Sequence, residues 1–301
     1  MRVPTLILLI YALVLASDWI GRTAALECRM NERRIKMTTM AVNERFQHGA
    51  QDYVAYLETP EGRLRTDLAF ANLEHFLPRS QAEKALCALD VGCGTGATAV
   101  RLARLGIHVT LLDSSPAMLD IAKRTAQEAG VMDKVVLQHG DATRLTDWFH
   151  TASFDVILCH NVLEYLDDPM AVLRGVTRAL RDSSAILSVL VRNRAGDVFK
   201  AAIQAGDLAA AESSLTAEWG QESLYGGQVR LFTSHSLQAM LKAASLGVIA
   251  ERGVRVIADY LPSRISRSAE YERILELERK LSSRPEYAAV ARYTQCFARL
   301  S

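Results

Sequence analysis

An excess of charge of either sign is missing from this 301-residue chain: 35 Lys and Arg stand against 34 Asp and Glu, a net charge of +1. No global field draws it to nucleic acid, so any such contact has to be a local patch. Cysteine is scarce and scattered. The five, Cys28, Cys87, Cys93, Cys159 and Cys296, are odd in number and form no C-x-x-C pair, which argues against a disulfide framework or a zinc site. Cys87, Cys93 and Cys159 fall in or beside predicted inner strands, where cysteine behaves as a small buried hydrophobe suited to a reducing compartment. No internal repeat or low-complexity tract occurs. With 50% apolar and 23% charged residues, the chain has ordinary globular composition and can bury a sizeable core.

A long apolar run is present only at the start. Val3 to Ala16, after Met1-Arg2, has the pattern of a signal peptide or short anchor, but falls short of the roughly 20 apolar residues of a bilayer span. A polar, basic link from Glu27 to Lys36 follows, and Met37 and Met40 offer internal starts. Residues 1–40 are expected to be a signal-like segment or an upstream extension outside a core domain of residues 41–301, with no stable membrane span.

The most informative stretch is Leu89-Asp90-Val91-Gly92-Cys93-Gly94-Thr95-Gly96. An apolar run from 85 to 91 reads as a buried strand and 97–105 as a helix, placing the glycines in the turn between them. Glycine there permits positive φ and lets a ligand approach the main chain without meeting a Cβ. The dinucleotide spacing G-x-G-x-x-G is absent; the chain reads G-x-G-x-G. Asp113 closes the run 107–112, where an acid at a strand end accepts hydrogen bonds from ribose hydroxyls. The turn resembles motif I of the class I methyltransferases, which bind S-adenosyl-L-methionine. Two further stretches resemble the same family. Val135 to Gln138 runs into His139-Gly140-Asp141-Ala142, where Asp141 would accept from the adenine amine or serve as a turn or helix-capping acid. Phe154 to His160 runs into Asn161 to Pro169, where His160 is a candidate contact or a satisfied polar residue at a strand end.

Strands over 85–91, 107–112, 135–138, 154–159 and 185–191 alternate with helices over 97–105, 116–129 and 170–180. That alternation predicts an α/β fold, a Rossmann-like, seven-stranded, mostly parallel sheet with helices on both faces. Thr59-Pro60-Glu61 starts an earlier helix that is expected to run to Phe76 or Leu77, with Leu64, Leu68, Ala71 and His75 on one face. Residues 193–231 break the alternation. They contain Trp219 and the turn Tyr225-Gly226-Gly227 and read as a helical insertion over the cofactor edge, or as a loosely packed connection. A helix over 234–244 and strands over 248–259 and 287–299, separated by a helix over 271–281, complete the expected fold.

From about Phe46 onward the chain is similar to the bacterial tRNA 5-carboxymethoxyuridine methyltransferases, which esterify the carboxylate of a modified wobble uridine. The likeness lies in Gly62-Arg63-Leu64-Arg65, in Leu158 to Tyr165, in 193–206, in Gly253 to Leu261, in Tyr271 to Glu278 and in Arg284 to Tyr293. It implies that Arg65 meets the cofactor's methionine carboxylate, a charge-assisted pairing suited to a guanidinium. It further implies that Gly92, Cys93 and Gly94 border the cofactor, that Asp113 meets the ribose, that Ala142 and Thr143 surround the adenine with Asp141, and that His160 lies near the methionine end. No metal and no catalytic side chain are expected. A carboxylate acceptor is ionised at neutral pH and needs orientation by cations, for which Arg192, Arg255 and Arg292, with Tyr56 and Tyr260, are candidates. The Asn-Pro-Pro-aromatic and Pro-Cys motifs of two nucleic-acid methylating classes are absent. The expected partner is a tRNA anticodon loop, the alternative a small-molecule O- or N-acceptor, and the expected location the cytoplasm. The chain departs from the family at Arg181-Asp182-Ser183-Ser184, where Pro-Gly-Gly is usual, and around 207–230.

Overall fold

A computed structural model describes residues 42–301 except 79–84, 223 and 263. The signal-like run and the whole upstream extension, residues 1–40, lie outside the described residues. Among the described residues no helix is long and apolar enough to cross a membrane.

The helix Pro60–Glu74 begins as its sequence dictates: Thr59 Oγ1 accepts from the backbone N–H of Gly62 at 3.1 Å, and Pro60 occupies the first turn. Both features satisfy or remove N–H groups that a helix start leaves without a partner. Leu64 and Leu68 are fully buried, but so are residues around most of the circumference. This helix is thus an interior element, which is why Arg65 on it is buried. It ends two residues short of the expected end, and His75 is exposed instead of joining the apolar face.

The alternating runs form the predicted sheet. Its strands are β1 (Cys87–Val91), β2 (His108–Asp113), β3 (Val135–His139), β4 (Val156–His160) and β5 (Ile186–Arg192), followed far along the chain by β8 (Leu246–Val254) and β9 (Tyr293–Leu300). They lie in the order β3-β2-β1-β4-β5-β9-β8. All pairs among β1 to β5 are parallel, whereas β9 runs antiparallel to β5 and to β8. Side chains alternate between two cores. Leu89, Ile157, Cys159, Leu187 and Val189 pack against the helix Pro169–Ala179 on one face. Ala88, Val156, Leu158 and Ile186 pack against the helices Ala97–Arg104 and Pro116–Glu128 on the other. That is the period-two burial expected of strands covered on both sides.

Three expectations need correction. The run 248–259 is not one strand: β8 starts at Leu246 and ends at Val254, Arg255 takes a positive φ of 60°, and Ala258–Tyr260 is a 3₁₀ turn. The run 287–299 starts as a helical turn, Pro285–Ala288, with proline at its start, and becomes β9 only at Tyr293. The insertion is not purely helical. It has helices Arg194–Phe199 and Leu208–Ser214, and then a hairpin of β6 (Trp219–Gln221) and β7 (Gln228–Arg230). Its ends are stitched together, since Arg194 N–H donates to Phe232 C=O and Phe232 N–H to Arg192 C=O. The departure at 181–184 also has a local account: the Asp182 side chain accepts from Ser184 N–H at 2.7 Å, and Arg181 pairs with Asp155 at 2.7 Å. An Asx turn does there what glycine does elsewhere.

Candidate active site

Because β9 is antiparallel to its neighbours, it begins at the edge where β1, β2, β4 and β5 end. The register places Arg192, the last residue of β5, opposite Tyr293, and Tyr293 opposite Val254 at the end of β8. Arg255 and Arg292 are the adjoining residues. In an open α/β sheet, ligands bind beyond this carboxyl edge, and a cavity of about 540 Å³ lies there.

One end of the cavity is built by the glycine turn. Gly92 and Gly94 line it, with φ of +66° and +53°. A Cβ on Gly92 would come within 2.4 Å of Val162 Cγ2, so only glycine leaves this wall in place. The backbone N–H groups of Gly92 and Cys93 both donate to Leu112 C=O, at 2.8 and 3.0 Å. Cys93 does not line the cavity; its side chain packs against the core beneath the turn. Asp113, buried at the end of β2, accepts from Gly94 N–H (2.9 Å) through Oδ2 and from Ser115 N–H (2.9 Å) through Oδ1. Burial pushes its carboxyl above the ordinary value, against those donors. Gly140, Asp141 and Ala142 line the same end. Asp141 Oδ1 accepts from the N–H and hydroxyl of Thr143, both at 2.8 Å, which makes it a capping acid as well as a lining one. Thr143 faces a separate depression with Arg174 and Arg178, away from the cavity.

His160, the last residue of β4, lines the middle of the cavity, and its Nε2 is hydrogen-bonded to Ser188 Oγ at 2.8 Å. Burial, helped by the Arg65 charge, lowers its pKa to about 3. The imidazole is therefore neutral at physiological pH.

The other end is a cluster of cations among tyrosines. Arg65 donates to Tyr53 Oη (2.8 Å), and its Cζ lies 5.5, 5.0 and 5.9 Å from the ring centres of Tyr53, Tyr56 and Tyr293. Distances of this kind hold a guanidinium by cation–π attraction. Arg255 donates to Tyr56 Oη (2.9 Å) and pairs with Asp259. Arg192 makes a two-pronged pair with Asp197 at 2.8 and 2.9 Å, and Arg292 shares Oδ1 of that carboxylate at 2.8 Å. All four arginines line the cavity. Burial pushes the Tyr293 phenol up, yet Arg65, Arg255, Arg292 and Arg192 together bring it below its ordinary value, the direction that positive charge gathered at this end produces. Tyr260 is not part of the lining; its hydroxyl donates to Gly196 C=O at 3.2 Å and its ring leans on Phe199.

Several lining residues were given no site role by the sequence. Tyr53, Tyr165, Tyr225 and Tyr293, with Phe46, come from segments far apart in the chain and meet only in the fold. Each reads locally as a core aromatic. Glu164, beside His160 in the motif, is 2% exposed and lines the cavity; its Oε1 accepts from Asn161 Nδ2 at 2.9 Å. Among the described residues no group of His, Cys, Asp and Glu could hold a metal ion.

Comparison with known proteins agrees with this geometry. Residues 89–188 match the family described as methyltransferase domain. The tRNA 5-carboxymethoxyuridine methyltransferase of Escherichia coli (strain K12) is 31% identical over 248 residues, 80% of this chain and 90% of that protein. A ubiquinone biosynthesis O-methyltransferase of Sodalis glossinidius is 34% identical over a shorter stretch, 40% of this chain and 48% of that protein. Among solved structures, a methyltransferase dependent on S-adenosylmethionine from Thermotoga maritima superposes with a TM-score of 0.57 at 16% identity, covering 87% of this chain and 100% of that one, and so shares the fold. A glycine turn, an acid at the next strand end and a relative matched along nearly its whole length lead to one conclusion: this chain is a class I S-adenosylmethionine-dependent methyltransferase and belongs to the family of the bacterial tRNA 5-carboxymethoxyuridine methyltransferases.

Proposed function

We propose that the protein methylates the carboxylate of 5-carboxymethoxyuridine at the wobble position of tRNA. The observation that carries this reading is the cation cluster. Four buried guanidinium groups line one cavity, and three of them share only Asp197 and Asp259 as close anions. A buried excess of positive charge favours an anionic guest, and guanidinium forks suit a carboxylate.

The residues present fit the cofactor. Gly92 and Gly94 leave a wall that a Cβ would fill, Asp113 stands where ribose hydroxyls would be met, Asp141 and Ala142 border the adenine end, and Arg65 takes the methionine carboxylate. When bound, S-adenosylmethionine supplies a methyl group on a sulfonium, already electrophilic, so the acceptor has only to be aligned. An ionised carboxylate has no proton to lose, which agrees with a neutral, hydrogen-bonded His160 that need not act as a base. Arg192, Arg255 and Arg292 orient the acceptor, with Tyr56 holding the Arg255 fork. Since each of these arginines is itself tied to a carboxylate or a phenol, the acceptor is oriented without being locked in a tight ion pair. The tyrosines and Phe46 offer faces on which an unstacked base can lie, the usual mode of single-stranded RNA recognition. A cytoplasmic location, where cofactor and tRNA are found, goes with this reading.

The test is methyl transfer from labelled cofactor to tRNA that carries or lacks the carboxymethoxy group. Transfer only to the modified tRNA is expected. Failure with both, or equal transfer to a small phenolic acceptor, would overturn the assignment.

A further inference from the structure

The acids that line the cavity differ in how their charge is met. Glu61 is paired with Arg267 at 3.2 Å, and Asp259 has its charge met by Arg255 through Oδ1, although its Oδ2 has no hydrogen-bond partner. Both oxygens of Asp113 accept backbone N–H groups, and so do those of Glu222, from Leu224 and Tyr225. Asp141 is exposed to water. Glu164 differs from all of these. It is 2% exposed, its donors are neutral ones, the Asn161 side chain on Oε1 and its own backbone N–H, and Oε2 is buried without any hydrogen-bond partner. Arg192 and Arg65 act on it only through space. A buried carboxylate oxygen left in this state costs stability unless something completes it. Asn161 holds the acid from a left-handed backbone conformation (φ 55°), one that asparagine tolerates better than most non-glycine residues.

We infer that Glu164 receives the α-ammonium of the cofactor's amino-acid end, completing with Arg65 a two-charge receptor for a zwitterionic head group. This rests on the reading of the cavity as the S-adenosylmethionine site and is independent of the acceptor. An α-amino acid carries an anion and a cation on one carbon, so its receptor needs a cation and an anion lining the same space. Arg65 and Glu164 both line the cavity and feel each other's charge. A neutral donor such as a uracil imide would satisfy the hydrogen bond of Oε2 but leave the buried charge uncompensated; an ammonium does both. The sulfonium offers charge without an N–H.

The experiment is calorimetry with S-adenosylhomocysteine and with its desamino analogue, in which hydrogen replaces the α-amine, on wild type and on Glu164→Gln. In wild type the analogue should bind about 10- to 100-fold more weakly, the size of one charge-assisted hydrogen bond in a buried site. In Glu164→Gln the two ligands should bind within about threefold of each other. Glu164→Asp, which draws the charge back by one bond, gives an intermediate ratio and serves if the amide variant does not fold. A wild-type-sized ratio in whichever variant folds overturns the inference, as does an effect on S-adenosylmethionine that S-adenosylhomocysteine does not show, which would assign Glu164 to the sulfonium. Because no tRNA is used, failure here leaves the acceptor reading untouched, and weak binding of both ligands to wild type would fault the cofactor site instead.

Discussion

On the proposed reading, single residues at the cavity divide into those facing the cofactor and those facing the acceptor, and substitutions should separate the two. Asp113→Ala removes the one acid at the end of β2 and frees the Gly94 and Ser115 N–H groups; affinity for S-adenosylhomocysteine should fall by about a hundredfold or more. Unchanged affinity in calorimetry would remove the ribose assignment. Arg255→Ala should leave that affinity within about twofold and raise the KM for the tRNA acceptor by about tenfold or more, the loss expected when a charged contact is removed. A weakened cofactor with an unchanged acceptor KM would reverse the placement of Arg255. How far such roles can be read from sequence depends on whether a residue's partner is near it in the chain. Gly92 and Asp113 stand in a local strand–turn–helix pattern, and their meaning is visible at once. Tyr293 ends a stretch that resembles the family but has no role of its own until β9 sets it between Arg192 and Val254. Glu164 lay inside a quoted motif and was still missed as a site residue, because nothing in a sequence distinguishes a partnered carboxylate from an orphaned one.

Among the elements, the loop after β8 carries the most structure for its length. Glu278, fully buried on the helix Tyr271–Ser282, accepts from the N–H groups of Val256, Ile257 and Ala258 at 2.7 to 2.9 Å. This carboxylate bends the chain at Arg255 and thereby fixes the height at which its guanidinium enters the cavity. Glu278→Gln puts an amide NH₂ against an N–H donor. Stability should drop by about 1–3 kcal/mol in urea unfolding, and the acceptor KM should rise while S-adenosylhomocysteine binding holds. Loss of stability alone, with both constants unchanged, would make Glu278 a fold residue only. The same loop explains why the expected strand 248–259 was too long. Val254, Val256, Ile257 and Ala258 read as a continued strand, and hydrophobic pattern does not register a carboxylate arriving from another helix. The early βα units were legible for the opposite reason: their caps, Ser115 and Asp168, and their prolines act within a few residues of themselves.

At the scale of the whole molecule, buried acids give the protein a pH dependence of stability with a definite sign. Burial raises both Asp90 and Glu164 to about 7. A carboxyl whose pKa is higher folded than unfolded favours folding in its protonated form. Its contribution is full below the unfolded value near 4 and is lost as pH rises through about 7. Asp197, held below its ordinary value by Arg292 and Arg192 in spite of burial, acts in the opposite sense and only on acidification. Glu164→Gln removes one of these raised groups, so the melting temperature of the variant should gain on that of wild type between pH 5 and pH 8. An equal difference at both pH values would contradict the assignment. The strand order carries a consequence for assembly as well. With β9 lying between β5 and β8, β8 has no partner in the sheet until the final strand is in place. The half of the molecule that ends with β5 can form from neighbours along the chain, whereas the half that carries Arg255 and Arg292 waits for a pairing across more than a hundred residues, the slower kind of contact to close. A nascent or partly unfolded chain would thus have the outline of a cofactor site well before it had anywhere to put a substrate.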